Sequence, residues 1–288
     1  MTMENTQIGY DNVVSLLNMR TSTSPEDTAM SINLIERWCD WYAAGDAAAS
    51  TIRLRRYHLL RLAARHPQVL EVTEDNLIDW MGSLAHTSPS ARKSMLASLR
   101  SFYKWAQRTG LITADPTLGL RRIATPEGLP KPIPEVALQQ ALAAADKETT
   151  LMLLLGAYAG LRRAEIAGIH SDDITDMGLM VKGKGRKVRR IPIHPILAAA
   201  LVDVKGYAFP GRWDGPVNPD YVANRLEAVL PAPHTAHSLR HRFATQTYRA
   251  CKDIRVTQQL LGHSSIQTTV RYVMVDEDAL AAAVNAVA

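Results

Sequence analysis

Cysteine is nearly absent from this 288-residue chain, which holds only Cys39 and Cys251. The two stand far apart in no metal-like spacing. That excludes a disulfide framework and a cysteine-built zinc site, and reads as two reduced thiols in a cytoplasmic protein. Aromatic residues make up 6% of the sequence, with three phenylalanines. So sparse a supply, beside abundant alanine, favours helices over an all-β fold. No apolar run reaches membrane-spanning length, and the polar opening, residues 1–15, lacks a signal-peptide profile, so no membrane partner is expected. What is present is a 47% hydrophobic fraction, enough for real cores and against global disorder. The net charge is +5 and the pI about 9.2. That balance suits a polyanionic partner, because Lys and Arg release counterions when they meet phosphates.

The first half alternates helical runs with stop signals. Ser24-Pro25-Glu26-Asp27 combines an N-cap, a first-turn proline and an early acid. Ile32, Ile35, Trp38, Cys39 and Tyr42 then recur at helical spacing as far as Gly45. A second helix is expected over 47–66, before Pro67. Thr73 caps a third, with Leu77, Trp80, Met81 and Leu84. Ser88-Pro89 opens a fourth, carrying Met95, Leu96, Leu99, Phe102, Tyr103 and Trp105, and Gly110 ends it. Residues 115–134 contain Pro116, Pro126, Pro130, Pro132 and Pro134 with Arg121 and Arg122, the composition of a linker. The organisation read from these signals is a short extension over 1–23, a helical domain over 24–120, a linker over 121–134 and a second domain over 135–288. The second domain opens with helices near 135–145 and 148–158. Short strands are then expected at 173–175, 179–181 and 188–193, joined by Asp176-Met177-Gly178 and Gly183-Lys184-Gly185. From Pro219 onward the pattern is helical again. The expected fold is mainly α with a small antiparallel sheet, in two domains.

Four clusters of the second half carry reactive side chains. Gly160-Leu161-Arg162-Arg163-Ala164-Glu165 lies at a helix junction. Lys182-Gly183-Lys184-Gly185-Arg186-Lys187 is a basic turn between strands. His237-Ser238-Leu239-Arg240-His241 sets His237 and Arg240 three apart, on one helix face, while Leu239 points into the core. Leu261-Gly262-His263-Ser264-Ser265 precedes Thr268-Thr269-Val270-Arg271-Tyr272. Singly these are ordinary features: surface charge, a solvated hairpin, a chance pair, a core aromatic. Together, Arg162, Lys184, His237, Arg240, His263 and Tyr272 match metal-free phosphoryl transfer. A phosphodiester under attack gains charge on its non-bridging oxygens, and two guanidinium forks answer that charge bidentately. A tyrosine hydroxyl titrates near ~10, so it needs a base or a strong positive field to attack at neutral pH. A histidine can take that proton, and a lysine can give one to the departing 5′ oxygen. Asp172-Asp173 has no third ligand at a suggestive spacing, so a strand-entry turn is expected there, with no metal and no cofactor.

In this order and spacing the motifs resemble the tyrosine recombinase (phage integrase) family over about residues 24–274. The G-L-R-x-x-E motif is matched by 160–165, the hairpin lysine by Lys184, H-x-L-R-H by 237–241 and L-G-H-S-S…T-T-x-x-Y by 261–272. The joint match is highly specific. The resemblance implies a site-specific DNA recombinase in which Arg162 and Arg240 clamp the scissile phosphate and His263 donates a further hydrogen bond. Lys184 is then the general acid, with Lys182 and Lys187 as rivals, and His237 is the base. Tyr272 forms a 3′-phosphotyrosyl bond that stores the energy of the cut, so ligation needs no ATP. Glu165 supports the site from behind. The first domain resembles the family's core-type DNA-binding domain, and the two domains form a clamp round DNA. Arg53, Arg55, Arg56, Arg92, Lys93, Arg100 and Lys104 are its candidate phosphate contacts.

Implied partners are double-stranded attachment sites and an accessory directionality factor, in the bacterial cytoplasm. The chain is expected to be a monomer when free and a homotetramer on DNA. A C-terminal helix with a Leu280, Val284 and Val287 stripe packs either on its own domain or on the next protomer. The short chain after Tyr272 lacks a His-Pro-rich end, and residues 1–23 are too few for an arm-binding domain. Both favour a simple phage or prophage integrase that integrates or excises a mobile genome. The alternatives are a Xer-type recombinase resolving chromosome dimers and an inactive DNA-binding relic. The six intact residues argue against the relic.

Overall fold

The computed structural model describes residues 25–45, 47–125, 130–183, 188–263, 267–270, 272 and 285. The chain divides into two compact units, Met1–Glu127 and Gly128–Ala288. Among the described residues no helix is long and apolar enough to cross a membrane.

The described part of the first unit is built on α1 (Pro25–Ala43), α2 (Ala49–Arg65), α3 (Glu74–Ser83) and α4 (Pro89–Arg108). Two of the expected start signals operate, while Ser24 lies outside the described residues. Thr73 and Asn76 exchange side-chain and backbone hydrogen bonds in a capping box, and Ser88 accepts from the Ala91 N–H ahead of Pro89. Leu96, Leu99, Phe102 and Tyr103 of α4 are buried against Trp38, Leu59, Leu62 and Leu77. Trp38 meets Phe102 edge to face at 6.2 Å. The Tyr103 hydroxyl donates to the Val69 carbonyl at 2.9 Å, so the buried polar tip is satisfied.

The second unit runs α5 (Glu135–Ala144), α6 (Lys147–Ala159), α7 (Arg163–Ala167), a 3₁₀ turn (Ser171–Asp173), β1 (Ile174–Thr175), β2 (Gly178–Lys182) and β3 (Val188–Ile191). Then follow α8 (Pro195–Leu201), α9 (Pro219–Val229), α10 (Ala236–Cys251), α11 (Ile254–Leu261) and α12 (Gln267–Val270). Helix α6 is apolar almost all round, and such a helix must be buried. It sits in the core with α10 packed along it. The strands form an antiparallel sheet in the order β1-β2-β3, with Leu179 opposite Ile191 and Val181 opposite Arg189. Side chains alternate along a strand. Leu179, Val181 and Ile191 therefore line the core, and Arg189, two residues before Ile191, shares their face. The fold is mainly helical with one small antiparallel sheet, as the periodicities predict. Lys184 and Lys187, residues 1–23 and the Leu280, Val284 and Val287 stripe lie outside the described residues.

Candidate active site

Helix α6 stops at Gly160, whose φ of 62° is left-handed. A Cβ there would fall 2.4 Å from the Phe243 ring, so only glycine fits. The turn exposes the Gly160 carbonyl, which accepts from Nη1 of Arg240. Nη2 of the same guanidinium donates to the Leu261 carbonyl at 2.6 Å. Arg240 is 1% exposed and ties the end of α6 to the end of α11. Burial, then the nearby Arg162, pulls its pKa down to about 9, which leaves it charged at neutral pH.

Arg162 opens α7. Its backbone N–H donates to Oε2 of Glu165 at 2.9 Å and its Nη1 to Oε1 at 2.8 Å. Glu165 is buried and also receives Nη1 and Nη2 of Arg189, at 2.9 and 2.8 Å. Nη1 of Arg240 stands 3.7 Å from the same carboxylate. One carboxylate is thus ringed by three guanidinium groups, and the cluster keeps an excess of positive charge. Burial alone would raise the Glu165 pKa. The hydrogen bonds from Arg189 and from the Arg162 amide outweigh it and hold the group at about 2.

Because this pKa is depressed, its contribution to stability is complete above the unfolded value of ~4.3 and is lost as the pH falls through the folded one. Thermal melts should show the wild-type Tm declining from pH ~4.3 downward. Glu165→Gln should remove that part of the decline and destabilise the protein by about 3–5 kcal/mol, since it leaves the buried Arg240 and the partly buried Arg189 without their counter-charge. An equal acid slope in the variant would show that another group titrates.

Arg189 is a site residue that the motifs pass over. Besides holding Glu165, its Nε donates to the Leu260 carbonyl at 2.9 Å. It runs so close to Gly262 that a Cβ there would lie 2.9 Å from the Arg189 Cδ, and the φ of 62° at Gly262 again demands glycine. One side chain therefore joins β3, α7 and the turn that leads into His263. The strand alternation from Ile191 was the available signal.

His263 pairs through Nδ1 with Oγ1 of the buried Thr269 at 2.9 Å. The Thr269 carbonyl accepts the Tyr272 N–H at 3.0 Å. Tyr272 is 4% exposed and lies near-parallel to the His263 ring at 6.5 Å. Its Oη is 2.9 Å from Nδ1 of His241. His241 in turn meets the ring of His237, one turn earlier on α10, at 4.3 Å. His237 and Arg240 do not present a common exposed face: His237 is on the surface, and Arg240 turns inward.

The structure thus joins Arg162 and Arg240 through Glu165, and His263 to Tyr272 directly. His237 reaches Tyr272 through His241. Lys182, a rival for the hairpin lysine, pairs with Oδ1 of Asp173 at 3.1 Å. Asp172 and Asp173 form the turn into β1, where Oδ2 of Asp173 accepts the His170 N–H.

The basic residues of the first unit separate. Arg56 is bound to Glu36 through Nε at 2.7 Å, and Nη2 of Arg100 donates to the Leu120 carbonyl at 2.6 Å. Arg55 lies 4.8 Å over the Tyr42 ring, with Nη1 donating to the Ala97 carbonyl. Lys93 donates to the Thr125 hydroxyl at 3.3 Å, and Arg92 is half-buried. Arg53 and Lys104 are exposed. Helical spacing indicates where these cations lie but not which tertiary partners engage them.

Residues 133–278 match the model of the phage integrase family. The chain is 33% identical over 279 residues to tyrosine recombinase XerC of Corynebacterium efficiens, covering 86% of this chain and 89% of that one. Among solved structures, a lambda integrase dimer bound to a COC′ core site is similar with a TM-score of 0.68 at 17% identity, over 83% of this chain and 76% of that one. XerH recombinase bound to a palindromic difH substrate gives 0.67 at 18%, over 96% and 88%. The family match and the XerC relative together define a tyrosine recombinase. The chain belongs to the phage integrase family.

Proposed function

We propose that the protein cuts and rejoins duplex DNA at specific sites through a 3′-phosphotyrosyl bond to Tyr272, and that it integrates or excises a mobile genome. The observation that carries this reading is the Tyr272 hydroxyl, held 2.9 Å from an imidazole in the same unit as a positively charged arginine cluster. Arg162 and Arg240 hold the non-bridging oxygens of the scissile phosphate, where charge develops. His263, whose Nδ1 pairs with the Thr269 hydroxyl, donates a further hydrogen bond to the same phosphate. The Tyr272 Oη–P bond forms as the P–O5′ bond breaks, and Lys184 supplies the proton to the 5′ oxygen. Ligation reverses these steps, and the stored phosphodiester energy removes any need for ATP.

The first unit is the core-type DNA-binding half, with Arg53 and Lys104 as its open cations. The partners are double-stranded attachment sites and an accessory directionality factor. The working assembly in the bacterial cytoplasm is a homotetramer formed from free monomers. A lambda integrase structure on a Holliday junction is such a tetramer, and this chain is similar to it.

A nicked suicide substrate tests the chemistry, since a covalent protein–DNA adduct identifies an enzyme and its absence identifies a DNA-binding relic. A Xer-type role in resolving chromosome dimers is the second reading, favoured by the XerC relative that covers 86% of the chain. Sequencing DNA covalently captured in the native host separates the two. Sites flanking a mobile element support integration, and one chromosomal site supports dimer resolution.

Charge at the phosphate comes from arginine and lysine, and the cluster's own carboxylate is saturated by Arg162 and Arg189. Among the described residues no group of three or more His, Cys, Asp or Glu side chains is set to hold a metal ion, as the two-metal manner would need. Cleavage and joining should therefore proceed at an unchanged rate in excess EDTA. A strict requirement for a divalent ion in the chemical step would sink this mechanism.

A further inference from the structure

We propose that His241, rather than His237, takes the proton from Tyr272, and that His237 acts through it as a positioning residue. The proposal rests on Tyr272 being the nucleophile. A general base must lie within hydrogen-bond reach of the proton it removes, about 2.6–3.2 Å between heavy atoms. His241 Nδ1 meets that condition, at 2.9 Å from Oη. The placement follows from the helix. Residues four apart on α10 stack one turn above the other, so the His237 ring rests edge to face on the His241 ring at 4.3 Å and 72°. Between them Arg240 turns inward to the Gly160 and Leu261 carbonyls. Tyr272 is held from the other side by Thr269, whose carbonyl accepts its N–H and whose hydroxyl holds His263. The phenol is therefore fixed at both ends, backbone and oxygen, with His241 at the oxygen.

In the step itself His241 begins neutral, with its proton on Nε2 and Nδ1 accepting from Oη. As the Oη–P bond forms, the phenolic proton moves to Nδ1 and His241 becomes an imidazolium. The P–O5′ bond breaks, and the 5′ oxygen takes a proton from Lys184, which becomes neutral. The positive charge thus passes from lysine to histidine with none gained or lost. Ligation returns both protons.

The test is single-turnover cleavage of a nicked suicide substrate by the full-length protein in excess. His241→Gln should bind the duplex normally yet cleave about 10²–10⁴-fold more slowly, the range of general-base catalysis. His241→Ala should recover part of its rate in added imidazole, a rescue that a purely structural role would not give. A substrate with sulfur at the 5′ bridging position needs no proton on its leaving group. It should restore Lys184→Ala but not His241→Gln. His237→Gln should lose less rate than His241→Gln and respond less to imidazole. Wild-type cleavage by His241→Gln, rescue of that variant by the sulfur substrate, or His241→Ala unmoved by imidazole would overturn the assignment. If the wild-type protein forms no adduct at all, it is the nucleophile reading that fails.

Discussion

Tyr272→Phe should yield no covalent adduct on a nicked suicide substrate while binding the same duplex as the wild type does. The substitution removes a single oxygen. The ring keeps its place in the small cluster with Ala244, Leu261 and Phe243, and it still lies alongside His263. The lost hydrogen bond to His241 is worth about 1 kcal/mol, too little to unfold a domain of ordinary stability. The chemistry has no such margin. Removing the nucleophile from a catalytic unit lowers turnover by roughly 10⁶, because the other members then have nothing to activate. A denaturing gel reads the adduct and a mobility shift reads the binding. An adduct of normal yield from the phenylalanine variant would show that another side chain attacks the phosphate.

Much of this arrangement was legible in the residue pattern. Thr73 and Ser88 announced their helices because a cap is a local device, settled by side chains three residues apart. The sheet was legible because apolar alternation and turn residues agree over 174–191. The cluster residues Arg162, Arg240, His263 and Tyr272 could be named because their chemistry is unusual in combination. Contacts between distant segments were not legible. Arg189 stands in the basic run Lys187-Val188-Arg189-Arg190; alternation from Ile191 puts it on the inward face, but its partners, Glu165 and the Leu260 carbonyl, come from distant segments. Arg56 and Arg100 look like open cations until the fold brings Glu36 and the Leu120 carbonyl, each 20 residues away, against them. His241 sits beside the expected base in every reading of the motif. Its claim on Tyr272, 31 residues later, depends on how α10, α11 and α12 are arranged, which no local spacing states.

Arg162→Lys and Arg240→Lys should both lose cleavage, but for reasons that a stability measurement can tell apart. Each change keeps the charge and loses the planar fork, so neither lysine can address two phosphate oxygens at once. Removing one donor aimed at developing charge costs about 10²–10³ in rate, and that is the expected loss for Arg162→Lys. The Arg162 side chain is 41% exposed, and Glu165 keeps the bidentate bond from Arg189. The Tm of this variant should therefore stay close to that of the wild type. Arg240 has a second duty. Its two Nη atoms satisfy the Gly160 and Leu261 carbonyls inside the core. A lysine ammonium is a single point on a flexible stem, and it leaves at least one of those buried carbonyls without a donor. Each such group costs about 1–3 kcal/mol. Arg240→Lys should thus lose rate at least as severely and lower the Tm as well. Normal cleavage in either variant would remove that residue from the phosphate clamp. A wild-type Tm in Arg240→Lys would show that the two carbonyl bonds do not hold α6 to α11.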